Sequence, residues 1–444
     1  MNVHFIAIGG AAMHNLAIAL HQKGDRVSGS DSEIFEPSRG RLKSHGLLPD
    51  SIEWKAEHIH DGLDAVILGM KAKADNPELL RAQELGIPIF SYPEFLYEQA
   101  KDKRRIVIAG SHGKTTITSI ILHVCKKAKL DVDYMVGAQL EGYETMVRIS
   151  HAKTMILEGD EYLSSPLDLR SKFVHYRPHV ALLSGIAWDH INVFPTYPEY
   201  LACFEDLLKV IEPGGKLIYC EEDAEVLSLV HNKGAALNTQ AYRTPEYSVS
   251  DGHYLVDGKH SLSLVGKHNM QNLEAACAIC IELGLSRDEF YDAVADFEGA
   301  SRRLEIFRKS DERLIYRDFA HSPSKLKATV EAVKEQYPDR TLMACIELHT
   351  YSSLNKNFLP KYAHSLDHAD KAVVFYSPKT IANKGLESIE PNDILSGFSN
   401  PNIQVIIDVN DLKACFEDFN RQAGNILLMS SGNFGGLNLD EIFN

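Results

Sequence analysis

Short apolar runs recur along this chain, each separated from the next by a stretch with helical periodicity. VHFIAIGG (3–10) gives way to AAMHNLAIALHQKG, which reads as a helix ending at Gly24, and then to RVSGSD. Further on, DAVILGM precedes the helical pattern NPELLRAQELG, and IPIFSY follows. Parallel strands need a crossover of about a dozen residues or more between them, most often a helix. A chain that keeps supplying such helices predicts parallel sheets. The pattern restarts at RRIVIAGSHGKTTITSIILHVCKKAKL, after the basic, polar stretch EQAKDKRR, and again around SRRLEIFRKSDERLIYRDFAHSP. TLMACIEL, KAVVFYS, IQVIIDV and NILLMSS then read as strands separated by helices. At roughly 150 residues per domain, the 444 residues suggest three consecutive α/β domains, with boundaries expected at 1–103, 104–300 and 301–444.

Bulk properties narrow the function classes. The apolar share of 44% allows large cores, and the net charge of -15 argues against a sequence-independent nucleic-acid binder, which needs a basic face. The sequence has no apolar run of the length that spans a bilayer. MNVHFIAIGG lacks a basic segment ahead of its apolar run, so a signal peptide is not expected. Seven cysteines, an odd number, suit a reducing cytoplasm better than a disulfide framework. Cys277 and Cys280 form a C-x-x-C inside an apolar helical pattern and read as helix core, because no second pair accompanies them.

Several stretches carry chemistry. In AIGGAAM (7–13), a G-x-G-x-x-G dinucleotide fingerprint would place glycines at 7, 9 and 12; the residues are Ala7, Gly9 and Ala12. The middle glycine, which lets backbone approach phosphate, is kept, and Asp31 follows the second strand. The alternative is a plain tight turn. AGSHGKTT has a strand before it and a helix after it, the setting of a phosphate cradle. Its spacing departs from G-x-x-x-x-G-K-[ST], since Ile108 stands where the first glycine belongs. Gly110 and Gly113 would shape a loop that holds a nucleotide triphosphate, Lys114 would reach the outer phosphates, and Thr115 or Thr116 could hold Mg²⁺; the alternative is a basic turn capped by threonine. EGDEY offers Glu158, Asp160 and Glu161, and WDH offers His190, as further metal ligands after apolar strands; taken singly, each is also an ordinary helix cap or surface charge. GKHNMQN places His268, Asn269 and Asn272 at a helix start, where asparagine is also an ordinary cap. Arg302 and Arg303 suit phosphate or carboxylate clamping, or are a solvated pair. Asp318 and His321 follow a strand in RDFAHSP.

Taken in order, IGG, GSHGKTT, EGDE, DH, HNMQN, SRRLE and DFAHSP resemble the Mur ligases, ATP-dependent enzymes that join amino acids or peptides to UDP-N-acetylmuramate. The resemblance implies a Rossmann-like N-terminal domain for the UDP-substrate, a P-loop ATPase-like central domain, and a Rossmann-like C-terminal domain for the incoming amine. It places Lys114, Glu158 and His190 in catalysis, with Thr115, Glu158 and His190 on Mg²⁺. ATP would meet Gly110, Ser111, Gly113, Lys114, Thr115, Thr116, His268, Asn269, Asn272, Arg302, Arg303, Asp318 and His321. The UDP-substrate would meet Gly9, Gly10, Asp31 and His112. The expected cofactors are ATP and Mg²⁺. The expected partners are small molecules, with no nucleic acid and no membrane, and the chain is expected as a cytoplasmic monomer or weak homo-oligomer.

Within the family, RSKFVHYRP (170–178), VSGSDSEIFEP (27–37) and LLMSSGNFGG (427–436) look most like the murein peptide ligase branch. That branch joins UDP-N-acetylmuramate to the tripeptide L-Ala-γ-D-Glu-meso-diaminopimelate in peptidoglycan recycling, and this is the expected function. KADNPE (73–78) leans to the relative that adds L-alanine in de novo cell-wall synthesis, the alternative. A degenerate, non-catalytic nucleotide-sugar sensor is an alternative of another class. Two stretches depart from the branch: Arg317 stands where it usually has aspartate, and Glu347–Ser352 lacks its arginine. The helical stretch YPEYLACFEDLL has no lysine before Lys209, so the lysine carbamate of some Mur ligases is not expected.

Overall fold

The computed structural model describes residues 1–250, 252–297, 299 and 304–443. They divide into two compact units, one of 1–186 with 198–242, the other of 187–197 with 243–444. The expected central segment, 104–300, contributes to both.

The first unit holds two sheets. The first sheet has β1 (Asn2–Ile6), β2 (Arg26–Ser30), β3 (Ala65–Leu68) and β4 (Ile89–Ser91) in the order β2-β1-β3-β4, all parallel. The intervening helices begin and end where local chemistry dictates. Ala11–Lys23 stops at Gly24, whose φ of 100° suits glycine. Pro77–Glu84 starts at Asn76, whose side chain accepts from the Glu78 and Leu79 N–H groups.

The second sheet contains β5 (Arg104–Ala109), β6 (Asp133–Met135), β7 (Val147–Arg148), β8 (Thr154–Glu158), β9 (Val180–Leu183), β10 (Lys216–Cys220) and β11 (Asn238–Tyr242). Their order is β11-β10-β9-β5-β8-β6-β7, parallel except for β7. Central strands such as β9, VALL, are buried along their length, as a sheet covered on both faces requires. β5 lies between β8 and β9, and the register pairs Ile108 with Glu158 and Ala109 with Leu183. Three chain segments thus reach the carboxyl edge together, where open α/β sheets bind ligands.

The second unit has an antiparallel sheet of β12 (Tyr247–Ser250), β13 (His253–Val256) and β14 (His260–Leu262). Its larger sheet has β15 (Glu305–Lys309), β16 (Leu314–Asp318), β17 (Leu342–Leu348), β18 (Lys371–Tyr376), β19 (Gln404–Ile406) and β20 (Asn425–Ser430). The order is β15-β16-β20-β17-β18-β19, parallel except for β15. Alternate residues Met343, Cys345, Val373, Phe375, Ile426 and Leu428 share one apolar face over Phe416 and Phe434. The helix Lys267–Glu282 buries both Cys277 and Cys280 as free thiols, consistent with helix core. Among the described residues, no helix is long and apolar enough to cross a membrane.

Candidate active site

The loop after β5 is shaped by two glycines. Gly110 has φ 128°, and a Cβ there would run into Ser184 and Gly185; Gly113 has φ 78° and stands immediately before the helix Lys114–Lys127. Both conformations are costly for other residues. Gly113 has no side chain to cap the helix, so its first N–H groups are left for an anion. The loop is fastened to the end of β9: the Ser111 N–H donates to the Gly185 carbonyl (2.9 Å), and the Ser184 hydroxyl donates to the His112 carbonyl (2.5 Å).

Lys114 Nζ lies 2.6 Å from the Gly110 carbonyl and 2.6 Å from Glu161 Oε2. Burial lowers the lysine pKa, but the carboxylates of Glu161, Asp160 and Glu158 outweigh it and hold the value above the ordinary one. Glu161, itself buried, is held at its other oxygen by the Tyr200 hydroxyl (3.2 Å), which also lies 3.0 Å from Ser111 Oγ. Thr115 Oγ1 donates to Glu158 Oε1 (2.8 Å), while Glu158 Oε2 accepts from the Gly137 N–H (2.8 Å). Thr115 and Glu158 therefore present two hard oxygen donors side by side at the mouth of the loop, a set that fits Mg²⁺. Thr116 is buried in the first turn of the same helix.

The loop after β1 is equally constrained. The Gly9 N–H donates to Asp31 Oδ2 (2.8 Å), and a Cβ at Gly9 would press on Asp31 and Ile34. Ala7, at the position of the fingerprint's first glycine, has φ 71°. Asp31 is buried, and its other oxygen accepts from Ser32 N–H (2.8 Å), so this carboxylate shapes the loop. Gly10 lines a cavity of about 440 Å³ in the first unit, together with Met13, Lys71, Glu158, Asp160 and Lys172. Lys172 Nζ is 2.6 Å from Asp160 Oδ2. The His112 ring packs against Gly185, where a Cβ would strike it.

His190 belongs to the second unit. It has φ 55°, and its N–H donates to Asp189 Oδ1 (2.7 Å). Burial pushes the Asp189 carboxyl up, but His190, Lys325 and His321 together bring it below the ordinary carboxylate value. In the same unit, Asn269 Nδ2 donates to the Val265 carbonyl (2.8 Å), and Asn272 Nδ2 lies 3.4 Å from Asn269 Oδ1. Asp318 Oδ2 accepts from Thr329 Oγ1 (2.6 Å), and His321 Nδ1 is 2.8 Å from the Phe319 carbonyl. His268 is lowered by burial, and its Nδ1 has no hydrogen-bond partner among the described residues. Arg302 and Arg303 lie outside the described residues.

Tyr200 had no local signal. Tyr197, Tyr200 and Phe204 in YPEYLACFEDLL fall at helical spacing and read as a core stripe. The main-chain clamp of Gly137 on Glu158 was likewise invisible, because it depends on pairing between distant strands.

Taken together, the strand–loop–helix phosphate cradle with its buried lysine and adjoining carboxylates defines a nucleotide-dependent α/β enzyme. The family description "Mur ligase family, catalytic domain" matches residues 2–104, "Mur ligase middle domain" matches 108–280, and "Mur ligase, glutamate ligase domain" matches 302–432. The UDP-N-acetylmuramate–L-alanine ligase of Carboxydothermus hydrogenoformans is 30% identical over 386 residues, 84% of this chain and 81% of that protein. The fold is that of the UDP-N-acetylmuramate–alanine ligase of Thermotoga maritima, at a TM-score of 0.70 and 20% identity, covering 98% of this chain and 97% of that one. A UDP-N-acetylmuramate:L-alanyl-gamma-D-glutamyl-meso-diaminopimelate ligase from Neisseria meningitides is 26% identical with a TM-score of 0.61, covering 68% of this chain and 99% of that one. The chain belongs to the Mur ligase family, and it is an ATP-dependent amide ligase.

The expectation of a tripeptide-adding enzyme is corrected by the L-alanine ligase relative, which matches most of both chains at 30% identity. A physical reason lies in the stretch on which that expectation leaned. RSKFVHYRP forms a short turn of helix at Lys172–Tyr176, with Phe173 and Tyr176 wholly buried. Arg105 Nε donates to the Tyr176 carbonyl (2.9 Å). Phe173 and the Tyr176 main chain are therefore framework of the first unit, whereas Lys172 and Tyr176 line the cavity beside Gly10.

Proposed function

We propose that this chain joins the lactyl carboxylate of UDP-N-acetylmuramate to the amino group of L-alanine at the expense of ATP. The observation that carries the reading is the buried Lys114–Glu161 pair beside the Thr115–Glu158 oxygen pair. The likeness to the L-alanine ligase supports the amine.

A carboxylate oxygen attacks the γ-phosphorus, the bond to the β–γ bridging oxygen breaks, and ADP leaves. The resulting acyl phosphate is attacked at its acyl carbon by the neutral amine. The C–O bond to phosphate then breaks, inorganic phosphate departs, and the amine's surplus proton passes to solvent. No protein nucleophile is needed, so catalysis is positioning and charge stabilisation. Lys114 offsets charge on the β- and γ-phosphates, and the open N–H groups after Gly113 bind phosphate oxygen. Mg²⁺ held by Thr115 and Glu158 would supply charge neutralisation at the phosphates.

Gly9 and Gly10, with Asp31 behind the first loop, are proposed for the UDP-substrate within residues 1–103, and His112, from the loop after β5, for the same substrate. His190 is retained as a proposed metal ligand, and His268, Asn269, Asn272, Asp318 and His321 as proposed nucleotide contacts. A cytoplasmic location is proposed with the same reading.

The test is product analysis by mass with Mg-ATP and UDP-N-acetylmuramate, adding L-alanine, the tripeptide, or no amine. An L-alanine adduct with ADP release is the expected result. ATP turnover with no amine adduct, or an adduct with the tripeptide alone, would overturn it.

A further inference from the structure

Away from the cavity and the phosphate loop, the N-terminal sheet buries a polar cluster that the ligase chemistry does not use. Glu78, in the first turn of the helix Pro77–Glu84, has no exposed surface. An ionised carboxylate there must be paired. Among the described residues its ion-pair partners are two imidazoles, His4 Nε2 at 3.4 Å and His58 Nδ1 at 2.7 Å, and no lysine or arginine side chain. Lys55 contributes only its backbone N–H (3.1 Å). The Ser30 hydroxyl donates to Glu78 Oε2.

We propose that His4, His58 and Glu78 bind one divalent cation of the zinc class. The three donor atoms come from the centre of β1, the one-turn helix Ala56–His58 and the start of Pro77–Glu84. All lie within 4.8 Å of one another. Zinc–nitrogen bonds of ~2.0–2.1 Å in a tetrahedron set donor separations of roughly 3.3 Å. The cluster reaches that spacing by shifts of about an ångström, with zinc replacing the His58–Glu78 hydrogen bond.

Two further features favour a metal. His4 has its second nitrogen, Nδ1, 2.9 Å from Ser28 Oγ, which turns Nε2 toward Glu78. A polar partner on the far nitrogen is the usual support of a metal-bound histidine. His58 is the one member with substantial exposure, 31% of its side chain, and gives the site an entrance. Two imidazoles and one carboxylate select zinc over magnesium or calcium, which prefer oxygen throughout. The fourth position falls to water. Bound metal would staple β1, whose end carries the Gly9–Gly10 loop, to the two segments packed over it.

The experiment uses the full chain, stripped with EDTA, returned to micromolar free Zn²⁺, desalted and assayed for metal. Wild type is expected to keep one zinc per chain, as is Glu158→Gln, which alters only the phosphate-loop oxygens. His58→Ala and Glu78→Gln are expected to lose it, with affinity down at least about 100-fold, and Ser28→Ala should lose about 10-fold. Co²⁺ should give visible d–d absorption in wild type that is absent in His58→Ala. Circular dichroism checks folding, and the partly exposed His58 and the indirect Ser28 keep the test readable if Glu78→Gln does not fold. Folded wild type that keeps no zinc overturns the proposal, as does equal retention by folded His58→Ala. Stability that instead falls as pH rises through the imidazole range, with no zinc bound, would make the cluster a proton-charged clasp and also overturn it.

Discussion

The phosphate-loop region of the first unit and the nucleotide residues expected in the second are built on different terms. At the loop, side chains distant in sequence are bonded to one another: the Lys114 ammonium to Glu161, and the hydroxyls of Thr115 and Tyr200 to Glu158 and Glu161. In the second unit, Asn269 bonds to Val265 four residues back, His321 to Phe319 two residues back, and His268 has a ring nitrogen with no hydrogen-bond partner among the described residues. The first arrangement fixes a lysine against carboxylates; the second mixes such local bonds with the Asp318–Thr329 bond and the charges around Asp189. Preorganised charge is what phosphoryl transfer requires, so the first region should govern rate.

The largest effect should follow from Lys114→Ala. ATP turnover should fall by at least about 10²–10³-fold. Because Glu161 is then buried without its partner, chemical denaturation should show a loss of about 3–5 kcal/mol. Adding Glu161→Gln should recover much of that stability and none of the turnover. Recovery of both would mean that the lysine's role is structural.

His268→Leu should separate the two regions in the other direction. Burial pushes the imidazole pKa down, and Nδ1 has no hydrogen-bond partner among the described residues, so stability should change by less than about 1.5 kcal/mol. Nucleotide affinity, read by calorimetry, should fall about tenfold if the imidazole meets ATP. Unchanged affinity would remove His268 from the nucleotide site.

The smallest effect belongs to Asp168. Its carboxyl is held below the ordinary value, first by the Arg170 side chain, whose Nε and Nη2 lie 2.9 and 2.7 Å from it. A depressed folded pKa gives stability that is present above the unfolded value of about 3.9 and lost as pH falls through the folded one. Arg170 is largely exposed, so the gain is about 0–1 kcal/mol. Asp168→Asn should flatten the acid limb of a stability–pH curve by that amount, and an unaltered limb would assign the pair no weight.

These outcomes bear on how much of the molecule could be read from residues alone. The parallel α/β plan was legible because crossover helices announce themselves by period and by caps such as Asn76 and Gly24. The short strands β6, β7 and β12–β14 were not read: at two to four residues each, they carry too little periodic signal. Lys114 could be read as a candidate from its Gly-Lys-Thr-Thr stretch between a strand and a helix, and Glu158 from its place at the end of an apolar run. The pairing of Lys114 with Glu161, and the hydroxyl of Tyr200 behind it, arise from strand order and helix packing. The amine was misread for a related reason. A buried residue such as Phe173 records how a unit is packed, and packing can be shared by enzymes that accept different amines. The 347–352 departure carries a similar lesson: Glu347 is buried, accepts from the Ser430 hydroxyl and from the Phe434 N–H (2.7 Å), and organises the loop after β20.

The excursion of residues 187–197 has a consequence for synthesis on the ribosome. The first unit is interrupted at 186 and resumes at 198. When residue 186 has emerged, β9 is made but its outer neighbour β10, at 216–220, is not. A buried, apolar strand is left for a time as an open sheet edge, the kind of edge that recruits other chains. A ribosomal pause just downstream of residue 186 would prolong that exposure, and a truncated fragment ending there would be expected to precipitate where one ending at 242 would not.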